Sequence, residues 1–98
     1  MQKLTGAQRR QLRGQGSLIK PHIYIGKNGL AEQVVRAIDE ALDDHELIKV
    51  RFLEFKEEKK KLAADIEKLC GCEMVGMIGH VALFYRQQTD PTKRKISL

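Results

Sequence analysis

The sequence predicts a single α/β domain in which helices pack on a four-stranded mixed sheet. A length of 98 residues suits one domain with a modest core. Amphipathic helical patterns alternate along the chain with short apolar runs, and the last two runs flank a glycine, as the strands of a hairpin do. The order α-β-α-β-α-β-β therefore indicates a two-layer or three-layer sandwich.

The N-terminal elements follow from a capping box and a β-rich run. Thr5 and Gln8 have the spacing of a capping box, and Gly14 and Gly16 are expected to end the first helix. The run at residues 22–25 then predicts the first strand.

The central elements show the clearest periodicity. A helix is predicted from Leu30, with apolar residues on one face and acidic residues on the other. Residues 47–53 alternate as a strand, and Lys49 and Arg51 share the face opposite its core residues. On an open face of the sheet these two cations could extend a binding surface, or they could equally serve to keep the protein soluble.

The C-terminal part predicts a third helix, a hairpin and a tail. The helix follows Lys61, and residues 72–78 and 80–86 are expected to pair as antiparallel strands. Residues 87–98 are polar and basic, which predicts a mobile tail behind a domain of residues 1–86.

The charges are distributed unevenly along the chain, whose formal net charge is +5. Residues 1–29 contain six basic residues and no acidic residue, whereas residues 30–48 contain six acidic residues and one basic residue. This separation favours a polyanion as the partner of the N-terminal third.

A Gly-x-x-Gly loop, Gly26-Lys27-Asn28-Gly29, links the first strand to the second helix. Backbone N–H groups, the helix dipole and the Lys27 ammonium would all favour a phosphate there. A simple strand-to-helix turn explains the glycines equally well. The loop is not a P-loop, since Asn28 stands where Ser or Thr is required and Pro21 where the first glycine is required.

No pattern indicates catalysis, a metal or a cofactor. Cys70 and Cys72 lack two further ligands at a suitable spacing, and the three histidines are scattered singly. Cys70 lies on the apolar face of its helix and is expected to act as a small core residue. We expect no enzyme activity.

The chain also shows no sequence pattern of a membrane protein. No apolar run approaches the roughly 20 residues that span a bilayer, and no signal-peptide pattern is present. These features lead us to expect a cytoplasmic protein without membrane contact.

Several motifs together resemble the CRM domain family (chloroplast RNA splicing and ribosome maturation) in its small stand-alone bacterial form, called YhbY-like. The resemblance runs from Leu4 to Arg86. It rests on Leu4-Thr5-Gly6, Gln8-Arg9-Arg10, Leu18-x-Lys20-Pro21, Ile25-Gly26-Lys27-Asn28-Gly29-Leu30, Ile38-Asp39-x-Ala41-Leu42, His45-Glu46-Leu47-Ile48-Lys49-Val50, Val75-x-x-Ile78-Gly79 and Phe84-Tyr85-Arg86.

The resemblance implies a fold similar to the C-terminal domain of translation initiation factor three. It also implies RNA binding without enzymatic chemistry, and association with ribosomal RNA in precursors of the large ribosomal subunit. The family's Gly-x-x-Gly loop, likened to that of KH domains, falls on residues 26–29. The predicted RNA contacts are Gly26, Lys27, Asn28, Gly29, Arg9, Arg10, Arg13 and Lys20, with Lys49, Arg51 and Arg86 at the margin.

The aromatic residues argue for recognition of RNA by charge and shape. The chain has no Trp, two Tyr and three Phe. Phe52, Phe84 and Tyr85 are expected in the core, which leaves Tyr24 as a candidate for stacking on a base. An extended stacking platform is therefore not expected.

Besides the function of an RNA-binding assembly factor, two alternative functions stay open. The acidic second helix could bind a basic ribosomal protein, which would make the domain a protein-interaction module. The domain could also be a general RNA-binding or chaperone module. A monomer is expected in each case.

Overall fold

The computed structural model describes residues 3–98, and the start of the predicted domain, residues 1 and 2, lies outside them. The elements are α1 (Gly6–Gly16), β1 (Ile23–Ile25), α2 (Glu32–His45), β2 (Leu47–Phe52), α3 (Lys59–Cys70), β3 (Glu73–Ile78), β4 (Val81–Tyr85) and a 3₁₀ turn (Pro91–Lys93). The predicted α/β class, element order and mixed four-stranded sheet are confirmed.

The strands lie in the order β1-β2-β4-β3. β1 runs parallel to β2, and the other two pairs are antiparallel. The predicted hairpin is β3-β4, and its turn contains Gly79 with a φ of +58°. A left-handed φ of this kind is easily adopted by glycine.

The sheet separates two apolar cores, so the molecule has three layers. Helices α2 and α3 cover one face, where Ile48, Val50 and Phe52 are fully buried, as their alternation predicted. Helix α1 packs on the other face through Leu12, which contacts the smaller core. That core consists of Leu4, Leu12, Leu47, Val75, Leu83 and Tyr85.

Helix α1 has the predicted capping box and ends at Gly16, the second of the two glycines that were expected to end it. The Thr5 hydroxyl accepts from the Gln8 N–H at 3.1 Å, and the Gln8 side chain accepts from the Thr5 N–H at 3.0 Å. The helix continues to Gly16, which is buried against Leu83. A Cβ atom at Gly16 would lie 2.5 Å from the Leu83 side chain, so glycine lets the helix approach the sheet closely.

Helix α2 begins at Glu32, two residues later than the predicted start at Leu30. Ala31 is the N-cap and has an extended backbone, with no side-chain hydrogen bond to the helix. Leu30 packs on the core before the helix starts. Its apolar character therefore reflects this contact and not membership of the helix.

The C-terminal tail of residues 87–98, which the sequence predicts to be mobile, makes several contacts with the domain. Glu46 is fully buried at the end of α2, and its carboxylate accepts three backbone hydrogen bonds from the tail. Gln88 N–H donates at 2.7 Å, Lys95 N–H at 2.6 Å and Ile96 N–H at 2.9 Å. Ile96 also packs on the smaller core.

Within residues 3–98, no helix has the length and apolar character needed to cross a membrane.

Candidate nucleic-acid interface

The Gly-x-x-Gly loop is a tight turn that presents two side chains to solvent. The Gly26 carbonyl accepts from the Gly29 N–H at 3.0 Å, which closes the turn. Gly29 is buried and has a φ of +59°, whereas Lys27 and Asn28 are exposed at the tip. The loop therefore offers the Lys27 ammonium to an anion without obstruction.

The donors available at the loop are fewer than the sequence predicted. The Gly29 N–H is already used within the turn, and α2 begins three residues beyond it. The N–H groups of Lys27 and Asn28 make no hydrogen bond to any part of residues 3–98. These two N–H groups and the Lys27 ammonium are what the loop can direct at a phosphate.

Phe55 supports the loop from the segment that joins β2 to α3. Its ring lies against Gly29, where a Cβ atom would be 3.4 Å from the ring edge. Beside this contact is a groove of about 490 Å³ lined by residues 53–58 together with Lys27. Because Glu54, Glu57 and Glu58 share the groove with Lys56, it is less suited to a phosphate than the exposed loop tip.

The cations of β2 lie on the α1 side of the sheet, next to the loop. Arg51 pairs with Tyr24 of β1 and is exposed. Lys49 is half-buried, and its ammonium donates to the Ile19 carbonyl at 2.7 Å. The structure thus leaves Arg51 accessible and holds Lys49 partly in place.

The three arginines of α1 have different surroundings. Arg10 is exposed and has no partner within the described part of the chain. Arg13 is exposed and donates one hydrogen bond to the Val75 carbonyl at 3.1 Å, which leaves its other N–H groups free. Arg9 instead forms an ion pair with Glu73. We therefore assign Arg9 a structural role.

Arg86 lies on the opposite side of the sheet and is excluded from this surface. Its guanidinium binds Asp39 at 2.5 Å and Asp43 at 2.8 Å, and also donates to the Cys70 carbonyl at 2.7 Å. Burial alone would lower the pKa of Arg86, but the hydrogen bonds and charges of the two aspartates outweigh it and raise the pKa. The sequence could not reveal these partners, which are more than forty positions away.

Lys56 and Lys59, which are not among the predicted contacts, lie near His80 in the β3-β4 turn. Lys59 donates to the Gly79 carbonyl at 2.5 Å and lies 3.3 Å from His80 Nδ1. Desolvation and then repulsion from Lys59, Lys56 and Arg51 lower the pKa of His80. Several lysines follow Phe55 in the sequence, but glutamates lie among them, so the net charge of this stretch did not indicate a basic surface.

The remaining predicted contact, Lys20, is exposed in the segment between α1 and β1. Of the predicted contacts, the cations that are both accessible and on or beside the α1 side of the sheet are Arg10, Arg13, Lys20, Lys27 and Arg51.

With this geometry established, similarity to known proteins identifies the family. The profile of the CRS1 / YhbY (CRM) domain matches residues 4–86. The chain belongs to the CRM domain family.

The CRM relatives span most of the chain. A probable RNA-binding protein of Pseudomonas aeruginosa is 35% identical over 92% of this chain and 88% of its own length. An RNA-binding protein of Haemophilus influenzae is 36% identical over 92% of both chains. The solution structure of the hypothetical protein SAV1595 from Staphylococcus aureus, a protein proposed to bind RNA, has a TM-score of 0.80 and 34% identity, covering 97% of this chain and all of its own.

The cysteines of this CRM domain behave as core residues. Cys70 and Cys72 are free and buried, as predicted for Cys70. Burial, with smaller contributions from Cys70 and Glu67, raises the pKa of the Cys72 thiol to about 12. Among residues 3–98, no three histidine, cysteine or acidic side chains lie close enough together to hold a metal ion.

Proposed function

We propose that this CRM domain is a cytoplasmic RNA-binding protein that contacts the RNA backbone and assists assembly of the large ribosomal subunit. The relatives named as RNA-binding proteins support RNA as the partner. The ribosomal target rests on the family resemblance of the sequence motifs. We expect the protein to act without catalysis, because its relatives are named as RNA-binding proteins.

The observation that carries the proposal is the continuity of the accessible cations. β1 places Tyr24 beside Arg51 and leads, three residues later, to Lys27 at the loop tip. On the same side of the sheet, Arg13 of α1 lies across a groove from Lys49. A phosphate chain can therefore follow one surface from the loop to the first helix.

Such contacts position the RNA but read little sequence. Arginine and lysine bind phosphate oxygens, which are the same in every nucleotide. The proposed backbone contacts therefore predict preference for RNA structure and charge over base sequence.

Sedimentation of cell lysate through a sucrose gradient tests the proposal. The wild-type protein should migrate with precursors of the large subunit, whereas Lys27→Glu and Arg10→Glu should move to the top of the gradient. Lys68→Glu is the matched control, because Lys68 is an exposed lysine of α3 on the other side of the sheet. Variants that fold normally and still sediment with these particles would contradict the proposal.

A second candidate, protein binding by the acidic face of α2, is favoured by two unpaired carboxylates. Glu40 and Asp44 are exposed and have no partner within residues 3–98, whereas Asp39 and Asp43 are paired with Arg86. Glu40→Lys with Asp44→Lys is therefore the clean test, since it leaves the Arg86 pairs intact. The double variant should lose a basic protein partner and bind naked RNA at least as well as the wild type.

A further inference from the structure

The face of the sheet that carries α1 is only partly covered by that helix. Helix α1 reaches Leu83, where Gly16 contacts the leucine side chain. The next row across all four strands contains Tyr24, Arg51, Val81 and Ile78 in register. This row, which we call the open row, lies beyond the end of the helix.

The open row combines exposed apolar side chains with a cation. Tyr24 is 53% exposed and Ile78 is 78% exposed, although both belong to strands. Arg51 lies between Tyr24 and Val81. Leu18, just after α1, is 86% exposed. Isolated exposed apolar residues are common, but a row of them interleaved with charge indicates a binding surface.

A groove of about 240 Å³ continues the open row under the end of α1. Leu83 and Val81 line it with apolar surface, and Arg13 and Lys49 line it with charge. Gly76 contributes to its wall, and a Cβ atom there would lie 2.9 Å from the Arg13 side chain. The glycine thus leaves room for the Arg13 side chain to lie along the strand.

We propose that the open row and its groove bind unpaired bases of single-stranded RNA, while the neighbouring cations bind the phosphates. This inference rests on the proposed function and deepens it by naming the form of RNA. Bases offer flat apolar faces that can stack on Tyr24 and pack on Ile78, and every phosphate between them can pair with an arginine or lysine.

The charges favour single-stranded RNA over other occupants. In an RNA duplex the bases are stacked inside the helix, so Tyr24 and Ile78 would face ribose and phosphate. A second copy of the chain would bring Arg13, Lys49 and Arg51 close to identical cations, which repel. A polyanion with exposed apolar faces complements both properties of the surface.

Fluorescence anisotropy with the full chain tests the inference. The probes are a labelled single-stranded RNA of mixed sequence, about 12 nucleotides long, and a blunt duplex of the same length. Tyr24→Ala should weaken single-strand binding by about 5- to 150-fold. The same variant should leave duplex binding unchanged, since a duplex makes no stacking contact with the ring.

Three further variants separate stacking from other effects. Tyr24→Phe should bind like the wild type, because the ring remains. Ile78→Ala should weaken single-strand binding in the same direction as Tyr24→Ala. Leu69→Ala is the control, because Leu69 is 60% exposed but belongs to α3 on the opposite side of the sheet.

A single-stranded RNA that contains 2-aminopurine reports stacking directly through its fluorescence. The fluorescence of this probe should change when it binds the wild type or Tyr24→Phe, and should stay unchanged with Tyr24→Ala.

The outcomes distinguish this inference from the proposed function. Salt-sensitive RNA binding that is equal for both probes and unaffected by Tyr24→Ala overturns the inference but leaves the proposed function intact. Failure of the wild type to bind either probe overturns both. A change in self-association for the Tyr24 and Ile78 variants, with unchanged RNA affinity, overturns the inference and makes the open row an interface between copies.

Discussion

At the scale of single residues, Gly29 links the candidate site to the stability of the fold. Its φ of +59° costs other residues free energy, and its Cα faces the Phe55 ring. The glycine thus allows the turn to close and allows the Phe55 ring to pack against the loop. Lys27 lies two residues before Gly29, at the exposed tip of the same loop.

Gly29→Ala should lower the free energy of unfolding by about 1–3 kcal/mol, because alanine is strained in the left-handed region. Urea unfolding measures this change. Gly14→Ala is the matched control, since Gly14 lies inside α1 with no atom within 4 Å of an added Cβ. The control should raise stability by about 0.5–1 kcal/mol. Equal and small effects at both positions would contradict our account of the loop.

At the scale of elements, Glu46 joins the end of α2 to the C-terminal tail. It has a φ of +63°, and its buried carboxylate is satisfied by N–H groups from tail residues 88, 95 and 96. A buried charge without such donors would be strongly unfavourable. The tail is therefore part of the packing of this domain.

Glu46→Gln should lower the free energy of unfolding by about 1.5–3 kcal/mol, since hydrogen bonds to a charged group are replaced by a neutral amide. Urea unfolding and amide exchange at Lys95 and Ile96 measure the effect, and exchange at both should become faster. Asp44→Asn is the control, because Asp44 is exposed and unpaired among residues 3–98. Unchanged tail exchange in Glu46→Gln would show that the carboxylate does not hold the tail.

At the scale of the whole molecule, the accessible cations determine how RNA binding depends on salt. Arg9 and Arg86 are neutralised by acidic partners within the fold. Of the predicted contacts, the cations that stay accessible on or beside the α1 side are Arg10, Arg13, Lys20, Lys27 and Arg51. Each phosphate that such a cation neutralises releases counterions from the RNA, so affinity falls as salt rises.

If these five cations each bind a phosphate of single-stranded RNA, log K should fall against log salt with a slope of about −3.5. Lys27→Gln should make the slope shallower by about 0.7, and Lys68→Gln should leave it unchanged. Binding titrations over a range of potassium chloride concentrations measure these slopes. An affinity that does not respond to salt would rule out recognition through phosphates.

The parts of the fold that could be predicted depend on residues close in sequence. The capping box joins Thr5 to Gln8, and the alternation of Ile48, Val50 and Phe52 follows from the pleat of one strand. These patterns predict elements because the partners lie within a few residues of one another. The predicted start of α2 at Leu30 was wrong, because the apolar periodicity does not distinguish a helical residue from a core contact just before the helix.

The parts that could not be predicted depend on distant contacts. The sequence offers Arg9, Arg10 and Arg13 as equivalent cations, yet packing of α1 on β3 gives only Arg9 an acidic partner. The basic composition and the Gly-x-x-Gly loop can be identified from the sequence, and they indicate a polyanion as partner. They do not indicate which of the arginines remain available to bind it.

The sequence by itself determined the class of the fold, the order of its elements and the basic character of the N-terminal third. Local periodicity and charge are sufficient for these properties. Tertiary structure alone decided which cations remain free, how the tail is held and that Tyr24 shares a row with Arg51 and Ile78. The physical reason is that strand register and ion pairing join residues far apart in sequence, and no local pattern records which of them will meet.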